Sequence, residues 1–292
     1  MAFFFEVLVN GLLVGIMYSL VALGFALIYK ASDIFNFAQG DMSLLAGLAL
    51  VGFLTFMPLW LALICTIGVM TILAYATVFI IFRPLVARPP LILFMAAIGL
   101  SFLIRGIGQS IWGTDAKGLN IGIPDIPIEF AGVFVSTFDL VFGGVAAVLV
   151  AGLILFFQKT RTGRALRAVA DDHEAALSVG IPLLRAWAVT WVIAGIVATV
   201  AGVAWGSRLG VQFSLSLIAL KALPVLILGG IDSIPGAIIA GLVVGAGENL
   251  AEVFIGPYVG GGIQTFFPYL LALIFLWFRP YGMFGKEIIE RV

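Results

Sequence analysis

The chain has 292 residues, 63% of them apolar and only 10% charged, and its 15 basic and 15 acidic side chains cancel. A soluble domain is nearer half apolar and a quarter charged, and its size limits the apolar surface it can hide. A water-soluble fold is therefore excluded, and a bilayer is the solvent that fits. The balanced charge offers no basic surface to nucleic acid. The lone Cys65 leaves no disulfide within the chain and no cysteine metal site.

A helix needs about 20 mostly apolar residues to cross hydrocarbon. Residues 7–29 predict the first crossing. Glu6 precedes it where a signal peptide would carry basic residues, so it reads as a permanent span. Residues 42–82 carry no charge and are long enough for two spans, with Pro58 as the joint, since proline opens a helix well and interrupts one badly. Residues 89–112 predict a fourth, with Arg105 near its end; 140–158 and 186–207 predict the fifth and sixth. The stretch 211–231 holds Lys221 and Pro224, and 234–254 holds Glu248 and Glu252. These two are full spans or broken helices of the kind that line binding cavities. Residues 262–278 form the last. The expectation is an all-α polytopic membrane protein with nine transmembrane helices, eight being the near alternative, in one transmembrane domain over 1–292.

Lys and Arg in short loops mark the cytoplasmic side. Arg83 and Arg88 flank one such loop. Lys159, Arg161, Arg164, Arg167 and Arg185 flank a longer one over 159–186, and Arg279, Lys286 and Arg291 lie at the C-terminus. The segment 113–138 sets Lys117 against Asp115, Asp125 and Glu129, so it is expected outside. Nine spans then place the C-terminus in the cytoplasm. One constant offset aligns Gly24, Lys30 and Phe35 with Gly202, Arg208 and Phe213, too thin a match to establish a repeat. Gly236, Ala240, Gly241 and Gly245 make a small-residue stripe, which in lipid marks a helix–helix face.

Three segments carry candidate function. Asn36-Phe37-Ala38-Gln39-Gly40-Asp41, followed by Ser43, joins the first two spans. A charge at the bilayer centre costs roughly 2.5 to 3.5 kcal/mol, so Asp41 either faces a polar cavity or caps a helix at the interface. The loop 160–181 predicts two short helices, with Leu166, Val169 and Ala170 on one face of the first and Ala175, Ala176 and Val179 on one face of the second. Gly180 and Pro182 end it. Such a pattern suits docking to a soluble partner or lying on anionic lipid. His173, the only histidine, has no second histidine or cysteine to complete a zinc site, so no metal is expected. In the third segment, 221–236, Gly229-Gly230 makes a tight turn, Asp232 or Ser233 caps the next helix, and Pro224 is expected to break or kink the preceding one. Glu248 and Glu252, one turn apart, share a face that binds a cation or proton, or meets the interface.

Several of these blocks, in one order, resemble the LivH-type permease subunit of bacterial branched-chain amino acid ABC importers. Asn36 to Asp41 is similar to that family's Asn-Phe-Ala-His-Gly-Glu, Arg83-Pro84-Leu85 to its Arg-Pro after the third span, and 162–181 to its cytoplasmic coupling loop. Leu228-Gly229-Gly230, Ser233 to Ala237, and Arg279 to Gly285 resemble its late turn and C-terminal end. Gln39 and Asp41 depart from the family's His and Glu.

The resemblance implies a transport subunit, not an enzyme, in the bacterial cytoplasmic membrane. A second related permease would pair with it, two cytoplasmic ATPases would carry ATP and Mg, and a periplasmic solute-binding protein would deliver substrate. The chain itself would hold no cofactor. Asn36, Gln39, Asp41, Ser43, Pro224, Gly229 and Gly230 would lie along the substrate pathway. Gly163, Arg164, Arg167, Glu174, Ala175, Ala176 and Gly180 would couple it to the ATPases. Urea or short-chain amides are the alternative cargo, and a stand-alone ion-coupled transporter is the rival mechanism.

Overall fold

A computed structural model describes residues 2–86, 88–124, 126–130 and 132–285. Asp125, Lys286 and Arg291, used above for orientation, lie outside the described residues, as does the side chain of His173. The long helices are α1 (Ala2–Ser32), α3 (Leu59–Ala76), α4 (Pro90–Trp112), α5 (Thr137–Lys159), α8 (Leu183–Leu209) and α10 (Ile234–Phe254). The shorter apolar ones are α2 (Gln39–Leu54), α9 (Ile218–Gly229) and α12 (Ile263–Phe278). Short connecting helices are α6 (Arg161–Asp171), α7 (His173–Ser178) and α11 (Gly256–Val259).

Every predicted span coincides with a helix, but among the described residues only six helices, α3 counted with its extension to Leu85, are long and apolar enough to cross a bilayer unaided. The chain is a helical, multi-pass membrane protein. Its spans are not all alike. The stretch 213–229 begins as a tight 3-10 turn, Phe213–Leu217, before becoming α9, and α3 runs on through a π-helical turn over Thr77–Phe82. The all-α expectation needs one amendment. Between α4 and α5, β1 (Pro127–Phe130) and β2 (Val133–Ser136) pair antiparallel, with Ile128 opposite Val135. Their β-branched and aromatic residues suit a pleated pair better than a helix.

Local sequence sets most boundaries. Pro58 and Pro89 precede α3 and α4 in extended conformation. Gly113 and Gly210 adopt φ +76° and +79°, which only glycine takes cheaply, and end α4 and α8. Thr160, Asp172 and Ser233 cap α6, α7 and α10 by accepting from the N–H groups of Gly163, Ala175 and Gly236 at 2.9, 2.9 and 3.0 Å.

Contacts gather into two compact units, residues 1–26, 122–147 and 219–292 in the first, and 27–121 and 148–218 in the second. Their make-up is reciprocal. The first joins α1 from the N-terminal half to α9, α10 and α12 from the C-terminal half. The second joins α8 to α2, α3 and α4. Gly24 and Gly202 occupy α1 and α8; Lys30 and Arg208 stand in their last turns. Two of the three matched positions thus fall on long helices, α1 and α8.

Each unit is locked by close backbone approach. In the first, a Cβ on Gly15 would collide with the Gly241 carbonyl, and one on Gly245 with the backbone of Gly15 and Gly11. In the second, a Cβ on Gly202 would collide with the Ser43 carbonyl. The second unit also holds a core of Phe82, Trp187, Trp191, Met70, Leu100 and Ile104, with the Phe82 and Trp191 rings 5.2 Å apart. Lipid supplies no hydrophobic drive between helices, so such close packing does the holding. Gly245→Leu should lower the thermal stability of the purified protein in detergent, by about 1–3 kcal/mol or more for overpacking. Gly144→Ala, whose Cβ would meet nothing within 4 Å, should leave the melting temperature unchanged.

Candidate functional site

The second unit carries a polar cluster where α2 begins. Asn36 donates from Nδ2 to Gln39 Oε1 at 3.1 Å and accepts the Ala38 N–H at 3.2 Å; Ser43 Oγ donates to the Gln39 carbonyl at 3.2 Å. Asp41 is only 2% exposed. It accepts a hydrogen bond from Ser101 and pairs with Arg105 Nε at 2.6 Å. It therefore stands in the first turn of a helix, where its charge is favoured, and is also enclosed by α4. The sequence left interface and cavity open; the structure combines a helix start with burial. Arg105, noted beforehand only for its place near the end of a span, is the missing counter-charge. Gln39 Nε2 is buried with no acceptor among the described residues.

The first unit carries a second ion pair. Lys221 Nζ lies 2.7 Å from Glu248 Oε1, Tyr18 OH donates to the same oxygen at 3.3 Å, and Lys221 donates to Tyr18 OH at 3.3 Å. Three helices, α1, α9 and α10, thus meet on one carboxylate oxygen. Glu252 does something else. It accepts from the N–H groups of Gly262 and Gln264 at 2.9 and 3.0 Å and so caps α12. Of the two readings left open, a cation held between the carboxylates is the one these partners disfavour: Glu248 Oε1 pairs with a lysine and Glu252 with a helix start. Among the described residues no group of three His, Cys, Asp or Glu side chains could hold a metal ion.

Of the break or kink expected at Pro224, the break does not occur. The proline lies inside α9, which continues through it to Gly229; membrane helices tolerate proline where neighbours satisfy the freed backbone. Gly229 packs on the backbone of Gly236, and Gly230 has φ +102°. The N–H groups of Met283 and Phe284 donate to the carbonyls of Leu228 and Gly229 at 2.8 and 3.1 Å. This glycine turn is therefore clasped by the C-terminal segment.

In the cytoplasmic-loop candidate, Gly163 lets α6 fold back on the carbonyl of Phe156. Leu166 and Val169 are buried as expected. The second helix differs, because Ala176 alone is buried while Ala175, Leu177 and Val179 are exposed, Val179 to 74%. Its anchor is one residue wide, since α7 is a six-residue helix that ends at Ser178, with Gly180 at φ +84° turning the chain just after it. Arg164, Arg167 and Glu174 are exposed.

Apolar crossings, internal ion pairs and an exposed loop of short helices define a membrane transport subunit. The chain belongs to the family described as the branched-chain amino acid transport system permease component, whose model it matches over residues 7–278, and is of the LivH type. It is 31% identical to the high-affinity branched-chain amino acid transport system permease protein BraD of Pseudomonas aeruginosa, covering 99% of this chain and 98% of that one. It is 27% identical to the corresponding LivH of Escherichia coli over the same shares. A shorter likeness, 29% over 53% of this chain, links it to the L-arabinose transport system permease protein AraH of Escherichia coli, 49% of which it covers. These relatives are transport permeases, not enzymes.

Removing one member of a buried ion pair leaves the other uncompensated, at roughly 3–5 kcal/mol. Arg105→Met should therefore lower thermal stability in detergent markedly, whereas Arg105→Met combined with Asp41→Asn should recover most of the loss. A double-mutant cycle with no coupling between the two positions contradicts the assigned pair.

Proposed function

We propose that this chain is the permease subunit of an ATP-driven importer of branched-chain amino acids in the bacterial inner membrane. The observation that carries this reading is likeness over nearly the whole chain to BraD and LivH, both named for branched-chain amino acid transport. A second related permease completes the pathway, and a periplasmic binding protein supplies the substrate. ATP and Mg belong to two cytoplasmic ATPases. Support for the coupling role of 159–186 comes from its exposed Arg164, Arg167, Glu174 and Ala175, carried on helices anchored by Leu166, Val169 and Ala176. Gly163 and Gly180 shape the loop's two bends. The C-terminus is cytoplasmic in this scheme.

ATP binding closes the ATPases, the loop transmits that movement, and the spans switch between outward-open and inward-open states. Asn36, Gln39, Asp41, Ser43, Pro224, Gly229 and Gly230 are assigned to the pathway. Their burial within the chain fits residues that come into play as the spans shift. Gln39 and Asp41 depart from the family's His and Glu, and urea or a short-chain amide is the alternative cargo.

Tagging this chain in its native membrane should co-purify two ATPases, and vesicles holding the whole assembly should take up leucine only with ATP. Leucine uptake that resists excess leucine analogues but yields to urea or short amides would move the cargo to the second reading. Ion-driven uptake by the purified single chain would overturn the scheme. Arg164→Glu with Arg167→Glu should weaken ATPase retention by about tenfold or more, as reversal of interface charge does, measured by the ATPase recovered per tagged permease.

A further inference from the structure

The two ion pairs differ in how their cations are spent. Lys221 lies at the middle of the apolar stretch Phe213–Gly229, Tyr18 near the middle of α1, and Glu248 within α10. The cluster therefore lies within the apolar helices themselves and not in a connecting loop. At 1.5 Å per residue, Lys221 is about 12 Å from either end of its helical stretch, farther than its own stem can snorkel to water.

An ammonium has three N–H donors. Glu248 Oε1 takes one and Tyr18 OH the second, and the Tyr18 ring lies under the ammonium with its centroid 5.7 Å away. No third bond from it is formed to the described residues, and Glu248 Oε2 is itself buried without a hydrogen-bond partner. The Glu248 side chain is 4% exposed, whereas that of Lys221 is 29% exposed. The carboxylate is sealed, and the lysine is open on its far side. Hydrocarbon cannot lie against that opening, because it offers an ammonium no partner.

We infer that Lys221 is a carboxylate-binding residue of the translocation path, its third N–H meeting the carboxylate of the passing amino acid. Glu248 and Tyr18 are positioning residues that hold the ammonium with its open side outward. This rests on the amino acid permease reading above. The pair is neutral overall, so its positive end attracts a carboxylate without the full pull of a bare cation. A pathway site needs that balance, since cargo must enter and also leave.

Cys65 is the only cysteine of the chain, so Cys65→Ser gives a clean background for a chemical test in the complete importer, with its ATPases and binding protein, in vesicles. Lys221→Cys is combined with Glu248→Gln, so that no carboxylate is stranded. Leucine uptake should fall about tenfold or more, the scale of one lost charge-assisted contact. Aminoethyl methanethiosulfonate, which rebuilds an ammonium at position 221, should restore much of it, and the neutral methyl reagent should not. Saturating leucine should slow the labelling.

Wild-type rates in the neutral double variant would make Lys221 merely the counter-ion of Glu248 and overturn the inference. So would a position 221 that no reagent reaches in the assembled importer, because its open side would then be closed by protein. Lys221→Arg keeps the charge and the pairing, and covers the case of a double variant that does not assemble. It should shift the KM for leucine by about threefold or more, and an unchanged KM overturns the inference. Leucine uptake absent from the Cys65→Ser background itself would tell against the permease reading instead, so the two failures are distinguishable.

Discussion

Hydrocarbon contains no water to solvate a charge, and every charge carried into it must find its opposite within protein. Asp41 and Arg105 meet this demand in one unit, Lys221 and Glu248 in the other. One pair ties α2 to α4; the other ties α9 to α10 and, through Tyr18, to α1 far away in the sequence. Buried pairs contribute less to net stability than to specifying one arrangement over others. Here they select which helices meet and at what height.

Close glycine contacts do the complementary work. Helices in lipid gain little from burying leucine, so they associate where backbones can touch. Gly11 and Gly15 against Gly241 and Gly245, and Ser43 and Gly47 against Gly202, are contacts of this kind in the two units. In both, a long helix from one half of the chain is packed on a shorter or later helix from the other half. The reciprocal make-up of the units follows from this pairing.

Much of this was legible before any coordinates. Apolar runs of the right length located every apolar helix, including those that carry Arg105, Lys221 or Glu248, because hydropathy reports directly on the solvent. Pro58, Ser233 and Gly180 marked boundaries through local chemistry that needs no tertiary context. The small-residue stripe was recognised as a packing face, although its partner, Gly15 with Gly11, could not be read from spacing. Long-range pairing was the hidden part. Arg105 lies 64 positions from Asp41, and Tyr18 lies 230 from Glu248, so no periodicity connects them. The shared face of Glu248 and Glu252 stayed ambiguous for the same reason: one turn of helix brings them near each other, but their partners come from elsewhere. The hairpin at 127–136 escaped notice because a short strand pair outside the bilayer leaves no trace in a hydropathy window.

The reciprocal make-up of the units has a consequence for how the chain is born. The glycine stripe of α1 is synthesised more than two hundred residues ahead of its match on α10. At about 5–20 residues per second, that interval lasts tens of seconds. Throughout it the leading span waits in lipid beside the ribosome, its notch unfilled, while α2, α3, α4 and α8 are already able to assemble. Cotranslational assembly of this protein must therefore proceed from the inside of the sequence outward, with the first helix among the last to dock.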